Sequence, residues 1–343
     1  MIRLVAGWIV WLWLLPLRLV LRVTQALLGK EGEGSRKKNE SYAHMDHLAL
    51  NAERPRTSWL NMGDWENTTH FPTACENLAV RLYEASGLKE GASILDVGHG
   101  SGDSLALLQR RYGPRSLQGV TSMPLHARLA QQRIDKETGE TKTKIECDDA
   151  VAFVRRLSAL EATRPRFDRI FALDCAYHFA TRQRFLAASR RLLADSGRLA
   201  LVDLVAAYPY PSSKDKDHYS FTASPSLPAP ASSPSLLTHL RHHLTLRMAG
   251  VPAQNIVDVS TYASQLRQAG YTGDVRIVDI SHVVFPGFSE FLSGLGMGEE
   301  RAWRGGGPLQ LWGLRQFGDV VKRWSKGGDG STIRCVLVVA CAS

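Results

Sequence analysis

The sequence predicts an α/β protein with a mostly parallel sheet and helices on both faces. Three observations carry that prediction. An apolar run, Ile94-Leu-Asp-Val97, ends at three alternating glycines, Gly98, Gly100 and Gly102, and passes into a helix opened by Asp103 and Ser104. Strand-like and helix-like patterns then alternate as far as Asp203. The chain closes with Ile333-Arg-Cys-Val-Leu-Val-Val-Ala340, which suits a strand buried on both faces.

The glycine loop comes first. Glycine has no Cβ and tolerates φ > 0, so the amides of this loop can approach a ligand closely before the chain turns into a helix. Such a loop suits a nucleotide-like cofactor, and two classes compete for it. A dinucleotide site uses G-x-G-x-x-G with an acidic residue about 20 positions on. Here the third glycine, Gly102, comes one position too early, which makes a nicotinamide oxidoreductase the weakest alternative. The spacing Asp96-x-Gly98-x-Gly100-x-Gly102 instead resembles the first motif of class I S-adenosylmethionine-dependent methyltransferases. That resemblance implies a Rossmann-like, seven-stranded, mostly parallel sheet. It also implies S-adenosylmethionine as cofactor, with Asp96, Gly98, His99, Gly100 and Gly102 around its amino-acid end.

The next elements extend the resemblance. Gly119-Val-Thr-Ser-Met-Pro124 is similar to the end of the family's second strand, where an acidic residue usually holds the ribose. Thr121 stands there instead, beside Ser122, and a neutral hydroxyl makes a weaker bond than a charged acceptor. This departure resembles tocopherol and cyclopropane fatty acid methyltransferases, which implies a small-molecule or lipid acceptor. Cys147-Asp-Asp-Ala150 closes a third strand and resembles the adenine site, with Asp149 on the exocyclic amine and Ala150 facing the ring. An N-cap pair is the alternative for the same residues. Phe167 to Phe179 reads as a fourth strand and the loop at its carboxyl end. Within it, Asp174-Cys-Ala-Tyr-His178 resembles the family's E-S-x-x-H loop, with Asp for Glu. The resemblance makes His178 a candidate base and Tyr177 a substrate-orienting residue, with Asp174 opening the catalytic loop; a structural histidine is the other reading. Phe185 to Gly197 and Arg198 to Asp203 supply the following helix, turn and fifth strand.

Outside this stretch, Asn61-Met-Gly-Asp-Trp65 resembles the N-x-G-x-W box of an N-terminal lid. It places Trp65 over the cofactor, or else in an ordinary turn with a partly buried ring. Tyr262 to Tyr271 reads as an amphipathic helix ended by Gly270, followed by a β-rich stretch from Val275 to Val284. The resemblance covers roughly Asn61 to Ser343.

At 343 residues and 44% hydrophobic content, the chain can bury a full core. Its five cysteines show no metal-ligand spacing, and no metal is expected; reduced thiols in a reducing compartment fit them. Net charge is +9, but the basic residues are dispersed and follow no nucleic-acid motif, so an anionic membrane surface or a solvated exterior is favoured over nucleic acid.

Residues 1–29 read as a membrane-anchor or interfacial helix. Leu4 to Leu17 carries no charge and includes Trp8, Trp11 and Trp13, and the apolar character continues to Leu28. A 14-residue helix spans only about 21 Å, whereas the longer stretch can cross the hydrocarbon core if Arg18 and Arg22 snorkel to one interface. Spanning and in-plane placements both remain open. Residues 30–60 read as a basic linker and lid region, and if the helix spans, their lysines and arginines put residues 61–343 on the cytosolic side of an endomembrane. A mitochondrial presequence is the alternative, opposed by low serine content and the three tryptophans.

Residues 208–235 are rich in proline and serine and read as a flexible insertion in the methyltransferase domain. Leu236 to Met248 then returns as a helix whose histidines 239, 242 and 243 lack an acidic metal partner. The reading as a whole is a membrane-associated methyltransferase of a lipid or other small apolar acceptor. Its rivals are an acyl-chain modification like that of cyclopropane fatty acid synthases and a non-catalytic, membrane-tethered S-adenosylmethionine-binding protein. Oligomeric state is not legible in the sequence.

Overall fold

The computed structural model describes residues 50–51, 57–137, 141–211, 219–230, 232–295, 308–328 and 331–343. Eight strands form one sheet: β1 (Ser93–Val97), β2 (Ser116–Thr121), β3 (Lys142–Cys147), β4 (Phe167–Leu173), β5 (Leu193–Ala206), β6 (Ser220–Thr222), β7 (Val275–Asp279) and β8 (Ile333–Cys341). Their order is β3-β2-β1-β4-β5-β8-β7-β6. β8 runs antiparallel between β5 and β7, and the remaining pairs are parallel.

The helices are α1 (Phe71–Ala85), α2 (Asp103–Tyr112), α3 (Pro124–Ile134), α4 (Ala150–Ala159), α5 (Arg182–Leu192), α6 (Leu236–Ala249), α7 (Val259–Gln268), α8 (Ser281–Gly294) and α9 (Pro308–Ser325). Short polar side chains start several of them: Asp149, Thr181, Ser235 and Asp258 each accept a first-turn amide.

Alternation along the strands divides the core in two. Ile94, Phe171, Ala200, Val202, Leu337 and Val339 belong to the cluster that α1, α2, α8 and α9 cover, with Phe71, Leu82, Phe285 and Trp324. Their neighbours Leu95, Val97, Ile170, Leu199, Leu201, Val336 and Val338 belong to the opposite cluster, with Phe153 of α4, Phe185 of α5 and Tyr262 of α7. A period of two residues thus feeds both faces of a doubly covered sheet. At one edge, Lys142 and Lys144 of β3 are exposed and discourage further strand pairing.

Three expectations are corrected. The sheet has eight strands in place of seven, because β6 pairs with β7 at the far edge. β6 lies inside the 208–235 stretch expected to be too polar to pack. The described parts of that stretch are held by a buried pair: Asp279 Oδ2 accepts Tyr210 Oη at 3.2 Å, and Arg334 Nη2 donates to the carbonyl of Pro228 at 2.5 Å. Asp279 and Arg334 are each 1% exposed, and such groups must find partners, which the insertion supplies. Finally, the β-rich stretch assigned through Val284 ends at Asp279, whose carboxylate accepts the Ser281 amide at 3.0 Å as α8 begins. The 1–29 helix lies outside the described residues; among those described, no helix is long and apolar enough to cross a membrane.

Gly287 of α8 shows how tightly the front of the sheet closes. A Cβ there would lie 2.3 Å from both Cβ and Cγ of Trp65. Gly287→Ala is therefore expected to destabilise the fold by about 1–3 kcal/mol through overpacking, read as a lower thermal midpoint. An unchanged midpoint would show that Trp65 can yield.

Candidate functional site

The carboxyl ends of β1, β2 and β3 are in register, with Val97 opposite Val120 and Thr121 opposite Cys147. β4 flanks β1 on its other side, so the chain reverses its direction of strand addition at β1, where open α/β sheets bind ligands. Gly98, Gly100 and Gly102 all have φ > 0, at +81°, +57° and +89°. The three glycines serve different ends. A Cβ on Gly98 would sit 2.6 Å from Cys175 Sγ, and one on Gly102 would sit 2.7 Å from Ala130 Cα. At Gly100 the nearest atom would be Leu60 Cδ1 at 3.7 Å, so this glycine opens on free space. Two glycines bring β4 and α3 close, and the third leaves a cradle for a ligand's approach to backbone.

Around the cradle, Asp96 is buried and accepts Ser104 Oγ at 2.6 Å; desolvation raises its pKa to about 6 against that bond's lowering effect. Thr121 is buried at the end of β2, and Ser122 is exposed just beyond it. Asp149 is exposed and caps α4, accepting Ala152 N at 2.8 Å, with half-buried Ala150 as the first helical residue. The capping reading is thus realised. His99 departs from expectation. Its ring packs over β2, where a Gly119 Cβ would meet His99 Cδ2 at 2.7 Å. Burial lowers its pKa to about 4. The neutral imidazole is thus a core group, and the residue offers only its backbone to the cradle.

A strap over residues 57–65 crosses this edge. The Ser58 amide donates to both carboxylate oxygens of Asp103 at 3.2 Å. Arg133 completes the clamp, with Nη1 3.0 Å from Asp103 and Nη2 donating to Ser58 Oγ at 3.0 Å. Farther along, Met62 N donates to Asp174 Oδ2 at 2.7 Å. Asn61 Oδ1 accepts Gly63 N at 2.9 Å and so shapes the turn. Trp65 is a packing residue: Nε1 donates to the Met62 carbonyl at 2.7 Å, and its ring meets Phe71, Phe291 and Gly287. The side chain of this strap lying over Gly100 is Leu60, which is 39% exposed.

The β4 loop forms the other wall. Asp174 adopts φ +56°, a left-handed conformation that is costly for a side-chain-bearing residue and persists only where its surroundings enforce it. They do so here. Its amide donates to Val202 O at 2.9 Å while its carboxylate holds the strap. Burial raises the Asp174 pKa to about 7, partly offset by Met62 N and the adjacent Tyr177 phenol; burial likewise raises Tyr177. His178 is exposed beside the backbone of Gly250, and partial desolvation lowers its pKa. The side chains packed under Gly98 are Cys175 and Phe179.

Residues without a motif signal hold this loop. Asn255 Nδ2 donates to the carbonyls of Tyr177 at 3.0 Å and Phe179 at 2.6 Å, and its Oδ1 accepts the Arg182 amide at 3.0 Å. Arg182, 1% exposed, lies 3.0 Å from buried Asp203 and over the ring of Tyr262, whose hydroxyl donates to Asp203 at 2.8 Å. An acid closing the apolar run Leu199 to Asp203 was the sequence signal for this pair. Among the described residues no cluster of three or more His, Cys, Asp or Glu could hold a metal.

Asp96, Asp103 and Asp174 all have folded pKa values raised above the ordinary 3.8, to about 6, 6 and 7. Between pH 4 and 7 the folded chain therefore binds more protons at these sites than the unfolded chain, and their contribution to stability falls as pH rises through this window. Asp174→Asn should flatten the decline in melting temperature from about pH 5 to pH 7. A decline as steep as that of the wild type would remove Asp174 from the titrating set.

Residues 94–197 match the methyltransferase domain family. The chain is 29% identical to erythromycin 3''-O-methyltransferase of Saccharopolyspora erythraea over 65% of its own length and 64% of that enzyme's, which is less than two thirds of the relative. It is 25% identical to 27-O-demethylrifamycin SV methyltransferase of Amycolatopsis mediterranei, over 59% of this chain and 70% of that one. In three dimensions it is similar to a cyclopropane synthase of Mycobacterium tuberculosis, with a TM-score of 0.63, 13% identity, and coverage of 89% of this chain and 98% of the other.

Proposed function

On the premise that residues 94–197 form a class I methyltransferase domain whose cofactor is S-adenosylmethionine, we propose that this protein methylates an oxygen of a small, largely apolar acceptor. The observation that carries the reading is the open cradle at Gly100, set between the buried Asp96 and the strap tied to Asp174. The residues fit the cofactor. Glycine amides can reach its amino-acid end, Asp96 and the Thr121 and Ser122 hydroxyls suit its polar groups, and Asp149 with the Ala150 amide suits the adenine. When bound, S-adenosylmethionine supplies an electrophilic methyl group on a sulfonium.

The chain's own contribution is placement and a dry setting. Met62, held by Asp174, and Leu60 close the strap over the cradle. Tyr177 is fixed through its backbone by Asn255 and positions the acceptor. His178, whose pKa burial lowers, would take the acceptor's hydroxyl proton as the C–O bond forms and the methyl–sulfur bond breaks, leaving a neutral thioether. An oxygen acceptor is supported by the names of two relatives, both O-methylating enzymes of natural products. An acyl-chain-modifying alternative shares the fold of the cyclopropane synthase, and NMR of the product separates an O-methyl group from a cyclopropane ring. On sequence grounds, residues 1–29 anchor the chain to a membrane with the catalytic domain facing the cytosol.

Calorimetric titration of the full chain should show micromolar binding of S-adenosylmethionine and S-adenosylhomocysteine and none of NADH. Gly100→Trp should abolish it by filling the cradle. Binding of NADH alone would overturn the reading. His178→Ala should lower turnover about 10²–10⁴-fold while leaving cofactor affinity within about twofold. Unchanged turnover would assign the proton elsewhere.

A further inference from the structure

The described surface of this protein carries few large exposed apolar side chains, and three of them share the first turns of α6. Leu236, Leu237 and Leu240 are 90%, 57% and 68% exposed. Two of them, Leu236 and Leu240, are four residues apart and therefore stand on one helical face, with Leu237 three residues before Leu240. Nothing in the described fold covers them. Solvated helices rarely leave three leucines bare at one end, and such a patch marks a contact surface.

The charge of the same helix identifies the contact. Residues 236–249 hold Arg241 and Arg247 and no aspartate or glutamate, and burial lowers the pKa of His242 to about 4, so that histidine adds no charge. A leucine turn backed by cations and free of acids suits insertion of apolar side chains among acyl chains with arginines at anionic headgroups. The other end of α6 is equally informative. Its C-terminal cap, Gly250, meets His178 of the β4 loop. Fourteen helical residues span about 21 Å, so one helix runs from the bare leucines to the candidate base.

We infer that the N-terminal turns of α6 dock on an anionic lipid surface, with the helix leading from that surface toward the loop of His178, so that the site draws an apolar acceptor from the bilayer. The route of entry rests on the acceptor class proposed above; the docking surface rests on α6 alone and does not involve residues 1–29.

Hydrogen–deuterium exchange of the full chain reads this surface separately from any other membrane contact. Vesicles of phosphatidylcholine with phosphatidylserine should slow amide exchange in residues 237–244 about tenfold, and vesicles of phosphatidylcholine alone should not. The protection should fall in high salt. The triple variant Leu236→Ser, Leu237→Ser, Leu240→Ser, whose substitutions lie on the exposed face, should lose it while keeping the wild-type melting temperature. A chain that sediments with anionic vesicles while α6 exchanges as in solution would overturn the inference. So would protection that grows with protein concentration in the absence of vesicles, since a second copy would then be the occupant. Vesicle protection without methyl transfer to any apolar acceptor would support the docking surface and sink the acceptor reading alone.

Discussion

A single buried carboxylate, that of Asp174, holds the two walls of the candidate site together. It sits at the end of β4 in a left-handed conformation, and its Oδ2 accepts the amide of Met62 from a strap more than a hundred residues earlier in the chain. The strap over Gly100 is also held at Asp103 and by the backbone bonds of Asp64 and Trp65, and the Met62 bond ties it to the β4 loop. The same carboxyl lies against Tyr177, so the cover of the cradle and the loop with the candidate base share one anchor. Burial raises the Asp174 pKa to about 7, which makes this anchor sensitive to its surroundings; a positive charge brought into the cradle would favour its ionised form.

Behind this anchor stand two buried ion pairs with different duties. Arg182 and Asp203, with Tyr262, fix the start of α5, and through Asn255 the carbonyls of the loop that bears His178. Asp279 and Arg334 secure the segment after β5 by engaging Tyr210 and Pro228. Removing one member of either pair would leave a buried charge uncompensated, which costs more than the intact pair contributes. Precision at the site therefore depends on polar groups far from the cradle.

Close neighbours leave no room for a side chain at several glycines in and around the loop. Gly98 must admit Cys175, Gly102 must admit Ala130, and Gly119 must admit the ring of His99. Gly100 is free of such neighbours and borders open space. Of the three glycines in the motif, two thus admit a packed neighbour and one stays open.

The sequence by itself determined the doubly covered sheet and the glycine loop at the carboxyl end of β1, because period-two apolar runs and glycine spacing are local properties of the chain; the cofactor class came from the family that the loop resembles. The sequence also placed Asp174, Tyr177 and His178 on one loop at the sheet's carboxyl edge. Other assignments required the tertiary structure. His99 turns inward because Gly119 lies beneath it, and Trp65 packs against α8 because Gly287 leaves room. The insertion after β5 gains β6 because Asp279 and Arg334 need partners that composition does not announce. Motifs name the residues that meet a ligand through local geometry. Which side chains face a neighbour, and which buried charges recruit a distant segment, depends on contacts between positions far apart in the chain, and only the fold brings those together.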